Sequence, residues 1–187
     1  MTEKTRLRPF FSMFLLTCLA WAVGWVADVS LVSVLPALHA LLPPFFLVWA
    51  AVTLVQSFFT HRLGISPIAW LVWSLPGALA AVLVARVLPS GNALLFAVAG
   101  CVSVPQWLLL RKHVKLAWLW VFVYIVGVPM SFALTYLAIT LFVVAALASA
   151  GYTYVIVVCI VGLLGGAPLG LFTALFFARA KQLPNKP

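Results

Sequence analysis

Asn92-Ala-Leu-Leu-Phe-Ala-Val-Ala-Gly100-Cys-Val-Ser-Val-Pro-Gln106-Trp-Leu-Leu-Leu110-Arg111-Lys112-His113-Val114-Lys115 holds the pattern that fixes the fold. From Ala93 to Leu110 no residue is charged, and three cations follow within five positions. Crossing about 30 Å of hydrocarbon takes roughly 20 helical residues at about 1.5 Å each. The run is long enough to cross once and then stops at a basic cluster. The apolar residues are continuous and do not alternate, which excludes a strand of a membrane β-barrel.

The same figure recurs along the chain. Ten of the eleven Lys and Arg fall in four clusters: Lys4, Arg6 and Arg8; Arg62; Arg111, Lys112 and Lys115; Arg179, Lys181 and Lys186. Between consecutive clusters lies enough apolar chain to cross twice, so all four clusters share one face. Lys/Arg excess marks the cytoplasmic face, and only Arg86 falls opposite. Composition agrees. Of 187 residues 66% are hydrophobic and 7% charged, where soluble domains have about 45–50% and about 25%. A disordered chain, a nucleic-acid-binding domain and a secreted disulfide scaffold are excluded. The net charge of +9 reads as a topology signal, with contact to anionic headgroups added.

The expectation is an all-α, polytopic integral membrane protein of one transmembrane domain, 1–187, in a bacterial cytoplasmic (inner) membrane. Six crossings are expected at Pro9–Leu31, Pro43–Thr60, Pro67–Leu88, Ala93–Leu110, Leu116–Tyr136 and Tyr154–Ala178, with both termini cytoplasmic. The first run continues past Ala27 without a clean cleavage site, so it reads as a signal-anchor helix.

The crossings pair into three hairpins, about 9–62, 67–112 and 116–179, that look like copies of one unit. Trp21 and Trp25 open the first, Trp70 and Trp73 the second, Trp118 and Trp120 the third. Trp21, Trp70 and Trp118 are 49 and 48 residues apart, Gln56 and Gln106 are 50 apart, and Arg62 and Arg111 are 49 apart. Arg179 follows Arg111 by 68 residues, leaving about 19 extra in the outer segment 138–153. That segment is too short to cross alone. It must prolong the fifth helix, lie flat at the interface or re-enter.

The run Gln106-Trp107-Leu108-Leu109-Leu110-Arg111-Lys112, followed by Ala117-Trp118, resembles multi-pass proteins of cyanobacteria and Chloroflexi. Those carry a repeated Gln-Trp-Leu-x-Leu-Arg motif, a tryptophan-started helix and a glycine-rich last helix. The first copy here, Gln56 to Arg62, lacks the tryptophan and has one more residue before the arginine. The resemblance implies an architecture and no chemistry, because the family's function is not established.

Candidate chemistry is sparse. Cys18, Cys101 and Cys159 are isolated, without metal-ligand spacing. No Ser, His and acid set can be assembled, and no membrane-embedded glutamate offers a base. His61 and His113 read as interfacial and His39 as a loop residue. Neither a metal nor another cofactor is expected, and the chain is expected not to be an enzyme.

Asp28 and Arg86 form the sharpest polar pair. They reach similar depth near the outer boundary, either as an ion pair tying the first and third helices or as a polar site. Gln56 and Gln106 sit at equal depth, as interhelical glue or facing a cavity. Trp70, Trp73, Trp107, Trp118 and Trp120 are expected in an interfacial aromatic belt. Arg62, Arg111, Lys112, Lys115 and Arg179 mark the headgroup level. Small residues at four-residue spacing, Gly162, Gly166 and Gly170, then Gly77, Ala81 and Ala85, and Ala20 and Gly24 leading to Asp28, mark close helix packing within the chain or with a partner. Pro129 and Pro168 should kink or open their helices.

Two function classes follow. One is a non-catalytic scaffold or accessory subunit of a larger membrane assembly, with a membrane-protein partner or a second copy of the chain. The other is a small-ligand membrane transport component, similar in size and helix count to the substrate-binding subunits of energy-coupling-factor vitamin transporters. Membrane lipids are partners in both, and nucleic acid in neither.

Overall fold

The computed structural model describes residues 3–34, 46–88, 91–147 and 152–180. Within them the chain is all-α, with six helices each long and apolar enough to span a membrane. They are α1 (Glu3–Val34), α2 (Phe46–Thr60), α3 (Pro67–Val87), α4 (Asn92–Leu110), α5 (Leu119–Leu147) and α6 (Tyr152–Arg179). Each helix packs on the next in sequence, and α6 packs on α1, so the bundle closes as a ring.

Local signals explain several ends. Between α2 and α3 the chain makes a 3-10 turn, His61–Leu63, and then Gly64 at φ 74°. That left-handed conformation costs glycine nothing. Ser66 caps α3 by accepting the Ala69 N–H at 3.1 Å, and Pro67 takes the first helical position. Between α4 and α5, residues 111–118 form turns whose Val114 and Ala117 are buried. The fifth helix therefore starts at Leu119, three residues later than expected.

The helices differ in length. α1, α5 and α6 have 32, 29 and 28 residues, while α2, α3 and α4 have 15, 21 and 19. Of the three fates open to the segment 138–153, residues 138–147 take the first, prolonging α5, and α6 begins at Tyr152. Residues 148–151 lie outside the described residues, as do 35–45 with His39 and the expected helix start at Pro43.

A single buried cluster draws on all six helices. Its axis is aromatic. Trp70 meets Trp120 at 5.4 Å between ring centroids, Trp120 meets Tyr124 at 5.3 Å, and Tyr124 stacks on Trp49 at 5.9 Å. Trp49 leads to Trp21 at 6.5 Å, and Trp21 to Phe132 at 5.4 Å. This corrects the aromatic belt. Trp70 and Trp120 are fully buried, Trp107 is half-buried, and Trp73 and Trp118 are exposed. Large rings fill a core by area alone, and the sequence pattern does not distinguish that use from an interfacial one.

Candidate functional site

Polar side chains gather inside this aromatic axis. Gln106 of α4 is wholly buried, donates from Nε2 to Ser74 Oγ on α3 at 2.9 Å, and accepts from Trp120 Nε1 on α5 at 2.9 Å. Gln56 of α2, equally buried, accepts from the Tyr124 hydroxyl at 2.8 Å. Both glutamines thus bond across to α5, and in hydrocarbon such bonds are worth about 0.6–2 kcal/mol each. Among the described residues, Gln56 Nε2, the indole nitrogens of Trp21 and Trp70, and Thr173 Oγ1 find no hydrogen-bond partner. An unmade bond in such surroundings costs more than an average bond contributes.

Asp28 meets a helix end. Its carboxylate accepts from the backbone N–H of Leu47 and of Val48 at 3.4 Å each, in the first turn of α2. The start of a helix leaves N–H groups without partners and carries partial positive charge. A buried carboxylate one helix away answers both. Gly24 makes the contact possible, because a Cβ there would lie 2.8 Å from the Val48 nitrogen. The expected stripe Ala20, Gly24 and Asp28 is therefore one device: the glycine admits α2, and the aspartate caps it. Arg86 is exposed near the end of α3, and α1 and α3 are not among the main packing pairs.

The glycine stripe of α6 faces α1. A Cβ on Gly162 would lie 2.6 Å from Ala22 Cα, one on Gly166 2.7 Å from Trp21 Cβ, and one on Gly170 3.0 Å from the Phe14 carbonyl. On α3, a Cβ on Gly77 would meet the Cys101 carbonyl of α4 at 2.5 Å. All four glycines are consumed within the chain. Ala81 instead lines a cavity. Beside Pro168, the Leu169 N–H donates to Ser131 Oγ on α5 at 3.2 Å. A neighbouring helix thus takes up backbone next to a proline.

The cavity, of about 380 Å³, lies between α2, α3 and α4. Trp49, Thr53, Ser74, Ala81 and Val102 form its inner wall, and all are buried. Leu54, Val72 and Leu75 line its rim and are about half exposed or more, so it opens sideways between α2 and α3. Its polar groups are Thr53 and Ser74, and Ser74 belongs to the Gln106 and Trp120 network. Neither residue stood out in the sequence, nor did Tyr124. The available signal was Ser74 one turn after Trp70, and a tyrosine well inside an apolar helix instead of at its end.

Arg62, Arg111, Lys112, Lys115 and Arg179 are all exposed. Three of them lie over rings at 5.7 Å: Arg62 on Phe59, Arg111 on Trp107 and Lys112 on Trp73. Compared with protein-family profiles, with curated proteins and with solved structures, the chain matches none of them.

Proposed function

We propose that this chain is a non-catalytic membrane protein that binds an apolar molecule taken sideways from the bilayer between α2 and α3. The observation that carries the reading is the 380 Å³ side-opening cavity. Ligand sites are apolar concavities of about 300–1,000 Å³ with a few placed polar groups. Here Thr53 and Ser74 supply those groups, and the hydrogen-bonded glutamine network behind them holds the wall in place. This is the small-ligand membrane component, with the bilayer as the source of ligand. In this reading the basic ends and both termini are cytoplasmic, the membrane is a bacterial inner one, and the three hairpins are copies of one unit. Gln56 and Gln106 support the repeat, being equally buried and both bonded to α5.

A second reading is the scaffold or accessory subunit. A shallow outward groove between α3 and α4, lined by Pro76, Ala80, Ala97, Gly100 and Val104, favours it. A Cβ on Gly100 would meet nothing within 4 Å, so a partner helix or a second copy has room to approach. Native mass spectrometry after mild-detergent purification separates the two. A retained small molecule that disappears in Ala78→Phe, which fills the cavity, supports the first reading. A stoichiometric subunit lost in Gly100→Leu supports the second. A bare monomer in both membrane extracts and lipid discs sinks both. Threading is tested by an impermeant thiol reagent, which should label Asn92→Cys from outside and leave Lys115→Cys untouched.

A further inference from the structure

A second groove, of about 360 Å³, runs between α5 and α6 at the basic end of the bundle. Leu119, Phe122, Val126, Phe172 and Leu175 wall it, and Arg179 borders it. We infer that this groove holds an acyl chain of one anionic phospholipid whose phosphate rests on Arg179.

Four observations carry this. The groove combines an apolar trough with a cation at its headgroup end, which is the shape of a phospholipid cut lengthwise. Arg62, Arg111 and Lys112 are engaged on aromatic rings, whereas among the described residues neither a ring nor an acid partners Arg179. Lys115 stands between Val114 and Leu116, which border the same groove, so a second exposed cation lies close by. The charge is one-sided. In the sequence, the four basic clusters hold ten cations and the acids number two, Glu3 and Asp28. Basic pockets between transmembrane helices select anionic headgroups, and a guanidinium can grip a phosphate through two parallel hydrogen bonds. The site is separate from the cavity between α2 and α3, and does not depend on what that cavity binds.

The test compares dioleoyl phosphatidylglycerol with dioleoyl phosphatidylcholine, titrated onto the purified protein and read by native mass spectrometry. The anionic lipid should bind about thirtyfold tighter, about fivefold for each of two nearby cations. Arg179→Gln should cut that preference about fivefold, leaving the share of Lys115, while Arg62→Gln should keep it. Leu175→Trp, which fills the trough, should weaken the anionic lipid with every charge in place. Equal binding of the two lipids, or an undiminished preference in Arg179→Gln, overturns the proposal. A salt titration of the unaltered protein tests the same point even where a variant does not fold. Exposed charges are screened within about 8 Å at physiological ionic strength and more closely above it. The preference should therefore vanish in high salt, and one that persists overturns the proposal.

Discussion

Two seams of the ring are built in opposite ways. The α1–α6 seam joins helices from opposite ends of the chain, yet its backbones nearly touch along Gly162, Gly166 and Gly170. The α2–α3 seam joins consecutive helices, and it gapes into a cavity. Nearness in sequence thus does not by itself bring two helices into close contact. Within a bilayer no hydrophobic force pulls helices together, so contact depends on van der Waals fit and interhelical hydrogen bonds. α2 contains no glycine, and it presents Trp49 and Thr53 where α3 presents Ala78 and Ala81. The one glycine of α3, Gly77, is spent on α4. α2 and α3 leave a tight turn together at Gly64 and part from there.

The largest expected effect breaks the closed seam. Gly166→Leu drives a side chain into Trp21 and the Cys18 backbone. Overpacking of this kind costs about 3 kcal/mol. For a chain of this size that lowers the unfolding midpoint by roughly 6–12 °C. Ala78→Leu, facing the open seam, should shift the midpoint by less than about 2 °C, since it fills space without displacing backbone. Thermal unfolding in detergent measures both, and equal shifts would erase the distinction between the seams.

A smaller effect follows from the polar wall behind the cavity. Gln106→Leu strands the Trp120 indole and removes a bond to Ser74, costing about 1–2 kcal/mol. Gln56→Leu takes away the acceptor of the buried Tyr124 hydroxyl but also removes a nitrogen that is already unpartnered, so its cost should be the smaller of the two, about 1 kcal/mol. Chemical denaturation of the two variants ranks them. The reverse order would place the rigid wall on α2 instead of α4.

Next comes the cap on α2. Asp28→Leu should cost about 1 kcal/mol, the usual loss at a helix start. Asp28→Asn, which keeps an acceptor, should cost less. A cycle with Arg86→Gln sharpens the point. Costs additive within about 0.5 kcal/mol leave the carboxylate serving α2, and recovery in the double variant means that it also ties α1 to α3.

Much of the fold was legible because apolar length and charge position are one-dimensional properties. Ala93–Leu110 and Pro67–Val87 emerge within a residue of where the sequence places them, since charges and prolines end membrane helices for local reasons. The glycines of α6 were legible as a packing face, though not as the face for α1. Gln56 and Gln106 were legible as buried polar groups, though not as partners of Tyr124 and Trp120.

By itself, then, the sequence determined the solvent, the six helices, the basic end and the positions where backbones come close. A hydrocarbon environment constrains each helix separately, and that constraint is written in every segment. Only the tertiary structure decided which helices touch. It turned Trp70 and Trp120 inward as core, set Asp28 on the first turn of α2, and left the cavity between two neighbours. Those outcomes depend on the rotation of each helix about its own axis, which is fixed jointly by all the faces it meets.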